Sequence, residues 1–143
     1  MHDWIVGGAS YENMYESSVQ TAYRYEILNS NNDIENNYEA KVGLMYVSDY
    51  GYAADPSYWT EDLKSYNKTN YSNWLYMGLQ DFTISRRSDS TEVLFNVHSQ
   101  GNIATNGVDY VIYGGGIRPA FYLNSDVTYV SGSGSYSDPF RIA

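Results

Sequence analysis

The sequence predicts an α+β fold, with two or more short helices in the first half and twisted antiparallel strands mainly in the second. Two observations carry that expectation. The clearest helical spacing lies early, where Val19, Ala22, Tyr23 and Ile27 fall on one helix face. From Phe82 onward, short β-favouring runs recur between Gly and Asn turns, with no helical segments between them to make parallel crossovers.

Taken in order, Trp4-Ile5-Val6 is a short apolar run closed by Gly7-Gly8 and predicts a first strand. Ser10 to Ser17 is polar and rich in tyrosine. A helix is expected over 18–28, with Ser17 or Ser18 as its cap. Asn29 to Asn37 is dense in Asn and Asp and reads as a loop. Val42 to Val47 reads as a buried strand. Ser48 then fits an N-cap, and Asp49 would sit in the first turn of a short helix running to Ala54. Asp55-Pro56 combines a cap with proline at the first helical position, starting another short helix to about Leu63.

Residues 65–73 have no period and read as an exposed polar loop, followed by short apolar pieces at Trp74–Met77 and Phe82–Ser85. Glu92 to His98 alternates as a strand does, with Val93, Phe95 and Val97 on one face. It turns through Ser99–Asn102 into Ile103–Thr105 as a hairpin. Further strands are expected over Val108–Tyr113, Ile117–Leu123, Val127–Val130 and Phe140–Ile142. No internal repeat interrupts this order.

The length of 143 residues suits one domain over 1–143. We expect it to be a piece of a longer surface protein. The formal net charge is −9, and the 8 cations form no run, which argues against nucleic acid and anionic membrane as partners. Cysteine is absent, so a disulfide framework, a zinc-thiolate site and a thiol nucleophile are excluded. No stretch approaches the roughly 20 apolar residues of a membrane span. MHDWIVGG lacks the basic start of a secretory signal, so a targeting segment of a secreted protein would lie outside this sequence. The composition is otherwise marked by its 17 tyrosines. Their rings have an apolar body and a polar tip, which suits core bracing and recognition surfaces alike.

GLMYVSDYGYAA (43–54) resembles the strand-then-helix segment of the formylglycine-generating-enzyme, or sulfatase-modifying-factor, family, whose fold is a variant of the C-type lectin fold. GGGIRPAFYL (114–123) is similar to that family's closing Gly-apolar-Arg-Pro strand. The pattern through WLYMGLQDFTISRRSDSTEVLFNVHSQGNI (74–103) and DVTYVSGSGSYSDPFRI (126–142) is closer to a bacterial domain of surface-anchored and prepilin-like proteins.

The resemblance implies a C-type-lectin-like, sulfatase-modifying-factor-like fold. It also implies a structural Arg118 that reaches Asp49 or another nearby acid. The physics agrees, since a buried guanidinium needs a carboxylate partner. Pro119 lacks a backbone donor and should sit at a sheet edge or a bulge.

Chemistry is thinly supported. The family's copper-dependent oxidation needs cysteines, and its iron-dependent branch needs a histidine cluster. This chain has only His2 and His98. The SGSGS stretch at 131–135 spells a nucleophile elbow but lies in a polar loop, outside the required strand-turn-helix context. Glu12, Glu16, Asp55, Glu61, Asp62 and Asp81 could supply paired acids, although surface solvation accounts for each of them. Calcium is a weaker option through Asp33 and Glu35 in the Asn-rich loop, which lacks EF-hand spacing. No other cofactor is expected.

The resulting expectation is a non-catalytic bacterial cell-surface or extracellular module of adhesion type. It would bind a glycan or a protein, on another cell or within the same assembly, through Tyr/Asn/Ser-rich loops. The candidate ligand-binding residues are Tyr66, Asn70, Tyr71 and Trp74, with Arg86 and Arg87. Simple loop solvation is the competing explanation for all of them. A structural or tip domain of a pilus-like assembly would instead show an exposed apolar patch or a free strand edge. An atypical hydrolase would show a pocket with perturbed acids around His98 or Arg86.

Overall fold

A computed structural model describes residues 1–5, 7–28, 37–66, 73–107, 115–133 and 137–143. The chain is α+β, with three short helices among the described residues and mostly antiparallel pairing. The first half forms β1 (His2–Ile5), β2 (Gly8–Ala9), α1 (Tyr11–Tyr15), α2 (Val19–Glu26), β3 (Asn37–Ala40), β4 (Gly43–Leu44) and α3 (Val47–Tyr52). Two 3-10 turns follow, Pro56–Tyr58 and Leu63–Ser65. The second half supplies β5 (Asp81–Arg87), β6 (Val93–Val97), β7 (Ile103–Gly107), β8 (Gly116–Ile117), β9 (Pro119–Ala120), β10 (Tyr129–Ser131) and β11 (Arg141–Ile142).

The main sheet runs β2-β5-β6-β7, with β8 also on β5. β2 and β8 are parallel to β5, at its end and its beginning respectively: Gly8 lies opposite Arg86, and Asp81 opposite Gly116. The other ladders are antiparallel, including the separate pairs β1-β3, β4-β9 and β10-β11. Gly8 lets β2 lie close against β5, because a Cβ there would run into the carbonyl oxygen of Arg86.

Several elements differ from the sequence reading for local reasons. Tyr11–Tyr15 is a helix, capped by Ser10, whose side chain accepts from the Asn13 backbone at 3.3 Å. A single turn with one buried residue, Met14, is too short to show a period. The expected helix over 18–28 is α2, with Ser18 at its N-cap. The expected strand over Val42–Val47 shrinks to Gly43–Leu44, and Val42 is exposed. Helix α3 begins earlier than expected, because Asp49 accepts from the Tyr46 backbone at 2.8 Å and makes Tyr46, not Ser48, the N-cap. Asp55 caps its turn as expected, accepting from Ser57 N at 2.9 Å, but two 3-10 turns replace a continuous helix to Leu63.

Met14, Val19, Met45, Tyr50, Leu63, Tyr66, Phe95, Val97 and Ile103 form the core between the helices and the main sheet. Two buried polar side chains there are satisfied locally. The Tyr50 hydroxyl donates to Gly101 O at 2.7 Å, and Thr83 Oγ1 donates to Phe95 O at 2.7 Å. β6 and β7 are joined by the expected hairpin, with Gly101 at φ 93° in its turn. The predicted strand over Val108–Tyr113 lies outside the described residues. Ile117–Leu123 divides into β8 and β9, and Arg118 stands between them. Among the described residues no helix is long and apolar enough to cross a membrane.

Candidate functional site

The junction of β8 and β9 builds the site. Arg118 Nη2 donates to Asp81 Oδ2 at 2.5 Å, and Nη1 donates to Leu75 O at 2.5 Å. The Asp81 side chain is 7% exposed and that of Arg118 is 21% exposed, so the pair sits largely inside the protein. Gly116 permits the approach: a Cβ there would collide with the Asp81 carboxylate that Arg118 must reach. Arg118 thus joins the closing segment to the start of β5 and to the chain around Leu75. Its acid is Asp81 rather than Asp49, whose carboxylate is engaged at the N-terminus of α3. Pro119 lies in β9, which among the described strands pairs with β4 alone, so its missing donor falls at an edge.

Beside this strut lies a groove of about 380 Å³ lined by Met45, Asp49, Tyr52, Ala53, Trp74, Leu75, Arg118, Pro119 and Ala120. Asn73 fixes one wall. It is buried, its Nδ2 donates to Tyr50 O at 2.9 Å, and its Oδ1 accepts from Leu75 N at 3.0 Å. Trp74 N donates to Ala53 O at 3.3 Å, which fastens the same wall to the end of α3. The Trp74 side chain is left standing outward, with the residue 76% exposed. Tyr52, also in the lining, packs edge-on against Trp59, with ring centroids 5.0 Å apart. Trp59 is itself held by donation from Nε1 to Ala54 O at 3.0 Å.

The orientation of α3 depends on a residue the sequence reading passed over. Glu26, fully buried at the end of α2, accepts from Val47 N at 2.9 Å and Ser48 N at 3.0 Å. Ser85 Oγ also bonds to Glu26, and it accepts from Val47 N at 3.0 Å. Burial pushes the Glu26 carboxyl up to about 7, against the lowering effect of its bonds to Ser48 and Ser85, and the Asp49 charge adds to the rise. A glutamate in a helical window normally reads as surface charge. The only hint was its position four residues after Ala22 and seven after Val19, the two residues that share its buried face.

Those sequence-predicted ligand residues that are described are not gathered in one place. Tyr66 is a core residue, 0% exposed, with its hydroxyl donating to Tyr58 O at 2.9 Å, so it offers no surface to a ligand. Asn70 and Tyr71 lie outside the described residues, as do Asp33 and Glu35. Trp74 lines the groove. Arg86 and Arg87 are at the far end of β5 from Asp81, about 17 Å along the strand at roughly 3.3 Å per residue. Arg87 is held by a two-pronged pair with Asp89, at 2.8 and 2.9 Å, and lies over the Tyr11 ring at 5.4 Å. Arg86 is half-buried and is itself bonded within the protein.

His98 belongs to the β6-β7 turn, where its Nδ1 accepts from Gln100 N at 3.2 Å. Among the described residues no three His, Asp or Glu side chains converge in a way that could hold a metal ion. A wider recess of about 650 Å³ at Met1, His2, Lys41, Val42 and Phe121–Ser125 contains none of the predicted site residues and no carboxylate.

In comparisons with known proteins, no family model, curated protein or solved structure matches the chain.

Proposed function

We propose that this chain is a non-catalytic, extracellular ligand-binding module of a bacterial surface protein, built on a C-type-lectin-like scaffold. It recognises a glycan or a protein partner at the Trp74 groove. The observation that carries this reading is Trp74 itself. A tryptophan that is 76% exposed beside a concave apolar wall costs solvation, and it recovers that cost when a ligand covers it. Its backbone is fixed by Asn73 and α3, so little ordering opposes binding. Among the described residues the groove has one carboxylate, Asp49, and no histidine, which fits recognition better than the two-carboxylate chemistry of glycoside hydrolysis.

The test is a glycan and peptide array probed with the wild type and Trp74→Ala. The substitution is expected to weaken binding of the best hit by about 1–3 kcal/mol, in the range of aromatic hot spots, with no change in thermal stability. Hits that ignore the substitution would end the reading.

A second reading, a structural or tip domain of a pilus-like assembly, is supported by one feature. The β10-β11 pair exposes Tyr129, Val130, Phe140 and Ile142 together. In that case the isolated chain would self-associate, and Val130→Lys would abolish association without touching ligand binding at Trp74.

A further inference from the structure

We infer that the groove takes an alkylammonium group, the positively charged head of a lysine side chain or of a small primary amine. Asp49 supplies the counter-charge, and Tyr52 and Trp74 supply the aromatic flank. The inference rests on the groove being the binding site and names the chemistry that fits it.

The first argument is the charge balance of the walls. Arg118, the groove's cation, is neutralised by Asp81. Asp49 is left over: among the described residues no cation pairs with it. One of its oxygens, Oδ2, accepts from Tyr46 N at 2.8 Å, and no described group donates to Oδ1. Asp49 is exposed to the groove, and the protein packed beside it still pushes its carboxyl above the ordinary value, with the Tyr46 bond pulling the other way. Such a carboxylate is stabilised by an incoming cation and destabilised by an incoming anion. The charge of Asp49 in turn raises the Glu26 carboxyl, the last of the influences on it.

The second argument is shape and lining. Met45, Ala53, Leu75 and Ala120 give an apolar bed for a methylene chain. Tyr52 and Trp74 are both exposed aromatic residues of the lining, and a desolvated ammonium is attracted to aromatic rings. The volume of about 380 Å³ falls within the range of roughly 300–1,000 Å³ typical of small-ligand sites. A neutral sugar would find few polar side chains here beyond the two charges and the Tyr52 hydroxyl. At longer range, a net charge of −9 draws cations toward the chain and repels anions.

The experiment is a set of NMR titrations of the wild-type chain at low salt and neutral pH with four probes. These are N-acetyl-lysine methylamide, its uncharged norleucine counterpart, 1-aminopentane and hexanoate. The expected result is that both amines shift Tyr52, Ala53 and Trp74 resonances and bind about tenfold tighter than the norleucine probe, with affinity falling as salt rises. The lysine derivative binding tighter than aminopentane identifies a protein side chain as the source, and the reverse order identifies a free amine. Asp49→Asn keeps an acceptor for the Tyr46 amide and should erase the preference at unchanged melting temperature. Equal binding of the norleucine probe, tighter binding of hexanoate, or a preference that survives Asp49→Asn would overturn the inference. If Asp49→Asn does not fold, the four probes on the wild type decide alone. A glycan or uncharged peptide that binds and depends on Trp74 would leave the binding module standing while ending the alkylammonium assignment. Absence of any Trp74-dependent ligand would end both.

Discussion

Replacing Arg118 with Ala is expected to lower the unfolding free energy by about 3 kcal/mol. This is the low end of the range for breaking a buried ion pair, because the guanidinium keeps 21% of its side-chain surface in water. The loss comes mainly from what is left behind. Asp81, 7% exposed, would be left without its partner, and Leu75 O would lose its donor. Arg118→Lys should recover only part of the loss, since one ammonium cannot reproduce the fork that reaches both Asp81 and Leu75. Replacing the pair together, Arg118→Met with Asp81→Leu, should be milder than Arg118→Ala alone, because no charge is stranded. Urea unfolding of the four proteins checks the order.

The second large effect is a pH dependence. The Glu26 carboxyl is raised from 4.5 to about 7 in the folded chain. The sign follows from proton counting. Between those values the unfolded chain has released the proton while the folded chain still holds it, so stability falls as pH rises through this window. The contribution is fully present below about pH 4.5, and it is lost above about pH 7, where both states are ionised. Over the window it amounts to roughly 3 kcal/mol at about 1.4 kcal/mol per unit. Geometry accommodates the neutral form, because a protonated Glu26 can donate to Ser85 Oγ while the Ser48 amide still has its acceptor. Glu26→Gln should remove this slope. It should be less stable than the wild type at pH 5, where the amide nitrogen replaces the oxygen facing Val47 N and leaves that donor with Ser85 Oγ alone, and close to it at pH 8. The difference between the two denaturation profiles isolates Glu26 from the other carboxylates.

The parts of this architecture that were legible in the sequence are those set by local chemistry. The apolar spacing from Val19 to Ile27 marked α2, Asp55-Pro56 marked its turn, and the alternation through Phe95 marked β6. Elements decided by distant contacts were not legible. Val42 to Val47 has the composition of a buried strand, yet Glu26 and Asp49 bind the amides of 46–48 and draw the chain into a helix before the apolar run ends. The site divides in the same way. Arg118 reads as structural because an arginine in an apolar β-favouring stretch needs a carboxylate. Which carboxylate depends on β8 lying beside β5, and that parallel pairing leaves no local trace. Tyr66 and Trp74 sit in similar polar-aromatic surroundings in the sequence, yet one fills the core and the other stands in solvent. Asn73 makes that separation, and an asparagine in a loop looks the same whether or not it is buried.

The account turns on Arg118 as an internal strut that leaves recognition to its neighbours. The most direct measurement is a double-mutant cycle by urea unfolding across Arg118→Met and Asp81→Leu, with ligand binding to the Arg118→Met protein measured alongside. A coupling of roughly 2 kcal/mol or more is predicted, with Trp74-dependent binding retained wherever the protein is folded. A coupling near zero, together with unchanged stability and lost binding in Arg118→Met, would make the arginine a ligand group and contradict the account.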